Sequence, residues 1–178
     1  MSFSFQKIDK ILGWEIFFIA AAVYISTVEP TASYWDCGEY ISTAYKLQIG
    51  HPPGAPLYQL LGRLFSLLSF GDISKVASSI NLMSAIASAF TVMFLYWSIT
   101  LLVSHFLSKN DEVRAENEYL ILGIGLSGAL AYLFTDSFWF SAVEAEVYAL
   151  SSFFTAIMFW AILRWERGSS DSHGIRWL

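Results

Sequence analysis

VASSINLMSAIASAFTVMFLYWSITLLV, residues 76–103, runs without one charged side chain. About 20 consecutive apolar residues suffice for a helix to cross the hydrocarbon of a bilayer. This stretch is long enough to cross with tilt or to protrude. Asn81 is its most polar side chain, and Ser84 with Ser88, and Ala85 with Ala89, place small residues four apart, which suits close helix contact. Outward from it, apolar runs at about 12–28, 119–134 and 147–163 read as three further spans. The expected fold is therefore an all-α membrane protein with four transmembrane helices.

Composition agrees. The chain is 56% hydrophobic and 14% charged, with a mean hydropathy of +0.52, whereas soluble domains carry roughly a quarter charged residues. Too little polar surface is left to cover a soluble domain, so lipid is the expected solvent. A net charge of −5 argues against nucleic acid, which is held by basic patches. The single cysteine, Cys37, permits neither an internal disulfide nor a cysteine-based metal site and is expected to be inert.

The first span is interrupted only by Glu15 and ended by Pro30. A cleaved signal peptide is the other reading, because Lys7 and Lys10 precede the apolar run and small residues follow at Thr31-Ala32-Ser33. The basic residues orient the spans. With the N-terminus inside, Lys7, Lys10, Lys109, Arg114, Arg164, Arg167 and Arg176 are cytoplasmic, against Lys46, Arg63 and Lys75 outside. Residues 29–75 then form an outer loop, 104–118 a cytoplasmic loop and 135–146 an outer hairpin. The outer segments bring Asp36, Glu39, Asp136, Glu144 and Glu146 to one membrane face. Ile175-Arg176-Trp177-Leu178 has the look of a new span beginning, so the chain is expected to stop short of a fifth helix.

In the outer loop, Trp35 to Leu47 reads as a short helix. Gly50-His51-Pro52-Pro53-Gly54 must be a turn, since two prolines exclude helix and Pro52 forces His51 extended. Leu57 to Phe70 reads as an amphipathic helix lying in the interface, with a polar stripe of Gln59, Arg63 and Ser66 against leucines.

Ionisable groups at membrane depth are costly and mark pathways or sites. Asp36 and Glu39, three apart, share a helix face and are the candidate catalytic carboxylates. Their structural alternative is a capping box. Glu144 and Glu146 are second-loop acids or simply a solvated helix start. Arg63, His51 and Lys46 are candidate donor-phosphate ligands: a guanidinium matches phosphate oxygens in a fork, or Arg63 snorkels to headgroups and His51 is a turn residue. Oxygen ligands at Asp36 and Glu39 would suit Mg²⁺ or Mn²⁺, though two carboxylates do not demonstrate a metal. Carboxylates, a phosphate-competent cation and aromatics facing outward suit transfer of a sugar from a lipid phosphate to a hydroxyl.

Trp35-Asp36-Cys37-Gly38-Glu39-Tyr40, Gly50-His51-Pro52-Pro53-Gly54-x-Pro56-Leu57-Tyr58, Leu61-Gly62-Arg63-Leu64 and Ser141-x-Val143-Glu144-x-Glu146-Val147-Tyr148 resemble a group of bacterial multi-pass membrane proteins. That group is related to the transmembrane protein O-mannosyltransferases of animals, within the GT-C glycosyltransferase superfamily. The resemblance implies a GT-C-like N-terminal module of a longer, multi-pass protein, in a bacterial inner membrane with its active face non-cytoplasmic. It implies Asp36 as the essential acid of the first outer loop and a polyprenyl-phosphate sugar donor. It also implies inverting, O-mannosylation-type transfer to serine or threonine of an exported protein acceptor. Two acids are commonly adjacent in that loop; here Cys37 and Gly38 separate them. A transporter or lipid-carrier-handling protein is a second function class, and it would place charges midway along spans. A non-catalytic structural module is a third, and it would tolerate loss of the outer acids. On the first reading this fragment alone is expected to be inactive.

Overall fold

The computed structural model describes residues 3–52, 54–107 and 115–170. Pro53, Lys109, Arg114, Arg176 and the apolar restart at 175–178 lie outside them. Seven α-helices follow in order: α1 Phe3–Ser26, α2 Cys37–Lys46, α3 Pro56–Ser66, α4 Val76–Leu107, α5 Ala115–Leu133, α6 Asp136–Val143 and α7 Val147–Ser170. Single 3-10 turns occupy Leu67–Ser69 and Ile73–Lys75. Among the described residues there is no strand.

The charge-free stretch becomes α4, and α4 is the axis of the fold: α1, α3, α5, α6 and α7 all pack on it. A helix apolar on every side has no reason to turn one face to water and is best surrounded. Its Ala85 and Ala89 are fully buried in a cluster with Ile16, Ala20 and Tyr24 of α1 and Ala129 and Leu133 of α5. These are the small residues whose spacing favours close packing.

Two helical stretches, Ile73–Leu107 and Val147–Arg167, are long and apolar enough to cross a membrane. A third exists if Asn117–Leu133 and Asp136–Val143, bent by 66°, form one broken span. The expected fourth, α1, has the length, but its last eighteen residues hold Asp9, Lys10 and Glu15. The segment expected as a hairpin at 135–146 is largely helix, α6, started after Thr135 in extended conformation.

Hydrogen bonds fix which helix ends lie together. At one end, Tyr24 Oη donates to Leu133 O at 2.8 Å and Trp139 Nε1 to Thr27 Oγ1 at 3.2 Å. Glu29 N donates to Val143 O at 3.0 Å. At the other, Trp97 Nε1 donates to Asp9 O at 3.2 Å and Arg167 Nη1 to Ser104 Oγ at 3.3 Å. The chain therefore runs up and down, with the segment after α1 and the α6–α7 junction sharing an end.

α3 turns its polar stripe inward. Gln59 and Ser66 are buried, whereas Leu57, Leu60, Leu64 and Leu68 are exposed. In water that arrangement would forfeit about 25 cal/mol for each Å² of apolar surface left out. Against lipid it would cost nothing of the kind. Gly62 lets α3 approach α2: a Cβ there would sit 2.9 Å from Ala44 Cβ.

Candidate active site

The site is built where α2 begins. Pro30 and the loop after it lead into Trp35, which has a φ of 61° and lies exposed beside Asp36. A bulky residue in the left-handed region is strained, and such strain persists where surrounding structure enforces it. Asp36 takes the N-cap position of α2, with φ −83° and ψ −3°. Its side chain makes no capping bond. The capping-box alternative is therefore not formed, and the Asp36 carboxylate is left facing outward.

Glu39 does not reach back along its helix either. It reaches across to the Gly50–Gly54 turn, where His51 N donates to Glu39 Oε1 at 2.7 Å and His51 Nδ1 lies 3.0 Å from Glu39 Oε2. The turn itself is closed by Gly54 N donating to His51 O at 2.9 Å. Gly50 is required by the close approach: a Cβ there would come within 3.0 Å of Glu39 Oε1 and 3.3 Å of Gln59 Nε2. Both bonds to His51 hold the Glu39 carboxyl below its usual range, the backbone one most, so it accepts and Nδ1 donates. His51 Nε2 is thereby turned toward Asp36, with Oδ2 at 3.9 Å.

Asp36, Glu39 and His51 offer one ligand atom each, all within 4.8 Å of one another. The paired hydrogen bonds hold Glu39 and His51 together, and Asp36 at the start of the same helix supplies the third atom.

The second acidic segment arrives at the same place. Asn81, fully buried on α4, donates from Nδ2 to Glu29 O at 2.6 Å and to Thr31 O at 3.1 Å. Together with the Glu29–Val143 bond this ties the approach to α2 against the end of α6. Glu146, half-buried at the start of α7, has its carboxyl raised above the usual range by burial first and then by the charges of Asp36 and Glu144. The Tyr40 hydroxyl is raised by burial and by Glu146, Asp36 and Glu39. Tyr40 stacks near both His51 and Tyr58, with ring centres 6.0 and 5.2 Å away. Three acids, one histidine and a tyrosine from segments a hundred residues apart thus share one corner. Asp136 does not join them; it begins α6, about 12 Å of helix away from Glu144.

Of the three basic candidates, His51 is thus beside the acids, whereas Arg63 and Lys46 fall elsewhere. Arg63 Nη1 donates to Tyr45 O at 3.0 Å and to Ser66 Oγ at 3.3 Å, and its guanidinium lies 5.3 Å from the Tyr45 ring centre. Tyr45 and Lys46 are the last residues of α2, roughly 13 Å of helix beyond Asp36. The attacking oxygen with its base and the leaving phosphate flank one anomeric carbon, so a phosphate clamp must lie closer to the base than the length of α2. The clamp expected at Arg63 and Lys46 is not assembled beside the acids. Arg63 instead neutralises the carbonyl end of α2.

Sequence reasoning missed the Glu39–His51 bonds and the latch at Asn81. A buried amide in an otherwise apolar span was the available sign of the second.

No solved structure matches the chain. Residues 36–178 match the profile of the Protein O-mannosyl-transferase TMEM260 N-terminal domain. A protein O-mannosyl-transferase tmem260 of Dictyostelium discoideum is 27% identical over 143 residues, covering 80% of this chain and 16% of that relative. A protein O-mannosyl-transferase TMEM260 of Mus musculus is 26% identical over 159 residues, covering 87% and 20%. The chain thus spans a fifth or less of the curated relatives it matches. Because the match runs from the site residue Asp36 to the last residue, the chain belongs to the TMEM260 N-terminal domain family of protein O-mannosyl-transferases.

Proposed function

We propose that this chain is the N-terminal part of a membrane glycosyltransferase that moves a mannose-like sugar from a polyprenyl phosphate to serine or threonine of an exported protein. The observation that carries the reading is the meeting of Asp36, Glu39 and His51 with Glu146 at one end of an apolar bundle. In this proposal α1, α4, the bent α5–α6 pair and α7 form four spans of a GT-C-like module. The acidic end faces away from the cytoplasm, and α3 rests in the interface with its leucines in lipid.

Asp36 takes the proton of the acceptor hydroxyl as that oxygen attacks the anomeric carbon. The bond from this carbon to the phosphate oxygen breaks, and its electron pair leaves with the phosphate. A phosphate is a stable anion, so the leaving group needs neighbouring positive charge more than a proton. With Arg63 and Lys46 at the far end of α2, His51 is the basic side chain placed to supply it.

The test is transfer by the full-length protein in vesicles, given polyprenyl-phosphate mannose or a nucleotide sugar and a panel of serine- and threonine-containing peptides. Transfer from the lipid-linked donor alone is expected, and transfer from the nucleotide sugar alone would overturn the reading. Because His51 serves the phosphate, Mg²⁺ or Mn²⁺ is not required, and EDTA should leave the rate unchanged. A rate abolished by EDTA and restored by Mn²⁺ would give that role to a metal instead.

A further inference from the structure

We propose that Glu39 is not a second acid of the reaction but a positioning residue, which clamps His51 through backbone and ring so that Nε2 points at the phosphate-side face of Asp36. The proposal rests on the transfer reaction above and adds to it the division of labour between the two carboxylates.

The geometry separates them. Both oxygens of Glu39 are engaged by one residue, at 2.7 and 3.0 Å. The oxygens of Asp36 make no capping bond, and the nearest basic atom, His51 Nε2, is 3.9 Å off. A carboxylate that accepts two bonds from a neighbouring turn is poorly placed to collect a substrate proton. It is well placed to hold an imidazole in one orientation, with Nδ1 carrying its proton. Gly50 leaves room for this approach, since a Cβ there would come within 3.0 Å of Glu39 Oε1.

The same contacts set the charge of the ring. Among the described residues, the charged groups that act on His51 are acids: Glu39 from α2, Asp36 from the residue before α2, and Glu146 from the α6–α7 junction. The hydrogen bond to Glu39 is the largest influence, and together these acids raise the imidazole above its ordinary value. The imidazolium therefore persists to higher pH than a free histidine, and its charge is lost as pH rises through that raised value. Transfer that depends on this charge falls on the alkaline side. Removing the Glu39 charge must move that fall to lower pH.

The experiment compares full-length wild type, Glu39→Gln and His51→Arg. Glu39→Gln keeps an oxygen for the His51 backbone N–H but loses the charge. Ring titration is followed by NMR of ¹³C-labelled histidine, with the His51 signal assigned by its loss in His51→Arg. The pH–rate profile of transfer is measured alongside. In Glu39→Gln the His51 midpoint and the alkaline limb should both move down together, whereas in His51→Arg, whose charge does not titrate, the limb should vanish. An unmoved His51 midpoint in folded Glu39→Gln would overturn the clamp. A midpoint that moves without the limb, or a limb retained in His51→Arg, would overturn its link to transfer while leaving Asp36 as base. Wild type inactive with the lipid-linked donor would instead overturn the reaction, and the NMR arm would still decide the clamp.

Discussion

Asp36→Asn in the full-length protein is expected to slow sugar transfer by about 10²–10⁴-fold, the usual contribution of a general base. The substitution keeps size and removes the capacity to accept a proton together with one negative charge, so the His51 imidazole should also titrate somewhat lower. It should leave the fold alone, because the Asp36 side chain is exposed, forms no cap and meets its nearest ion-pair partner at 3.9 Å. A stability change within roughly 0.5 kcal/mol fits a surface position of this kind. Activity lost with an unchanged melting temperature is the signature. Undiminished transfer would remove Asp36 from the mechanism.

Asn81→Ala is expected to lower stability although it lies outside the site. Its amide satisfies two backbone carbonyls, Glu29 O and Thr31 O, in a position with no exposed surface of its own. Truncation leaves those carbonyls unpaired and opens a void beside α4. A buried group left unsatisfied costs about 1–3 kcal/mol; Thr31 is exposed, and Asn81 Oδ1 is itself unsatisfied, so the low end of that range is expected. The loss has a functional consequence as well, since Glu29 is bonded to Val143 and so connects the two acidic segments. A lowered melting temperature together with reduced transfer is the expected pair of results. Reduced stability with full activity would show that the segments hold their places without the latch.

Much of this was legible in the sequence because lipid and proline leave few choices. A charge-free run of α4's length has only a helix as a solution where no water satisfies the backbone. Pro52 and Pro53 exclude helix, so the His51 turn was forced. The alternation of basic and acidic segments set Asp36 and Glu146 toward a common end. What was not legible depends on which way a helix is rolled. Spacing put Arg63 on the polar stripe of α3, but the stripe faces the carboxyl end of α2 rather than its start, and no periodicity encodes that choice. Asp36 and Glu39 fit a capping box by pattern; the competing bond from the His51 backbone, twelve residues on, won Glu39. The eight-residue α6 gave no helical period long enough to detect. The partners of Asn81 lie fifty residues upstream, beyond any local pattern.

The most direct measurement is cysteine accessibility, in the full-length protein freed of its other cysteines. Cys37 is buried; in a Cys37→Ser background, single cysteines at Asp36 and at Glu146 can be labelled with a membrane-impermeant maleimide in sealed vesicles of each orientation, and the double variant treated with a short bifunctional crosslinker. Labelling of both positions from the same side, opposite the cytoplasmic face, with an efficient crosslink between them, is the expected result. Labelling from opposite sides, or same-side labelling with no crosslink, would contradict a shared corner for the two acidic segments, and the transfer chemistry built on it would fall.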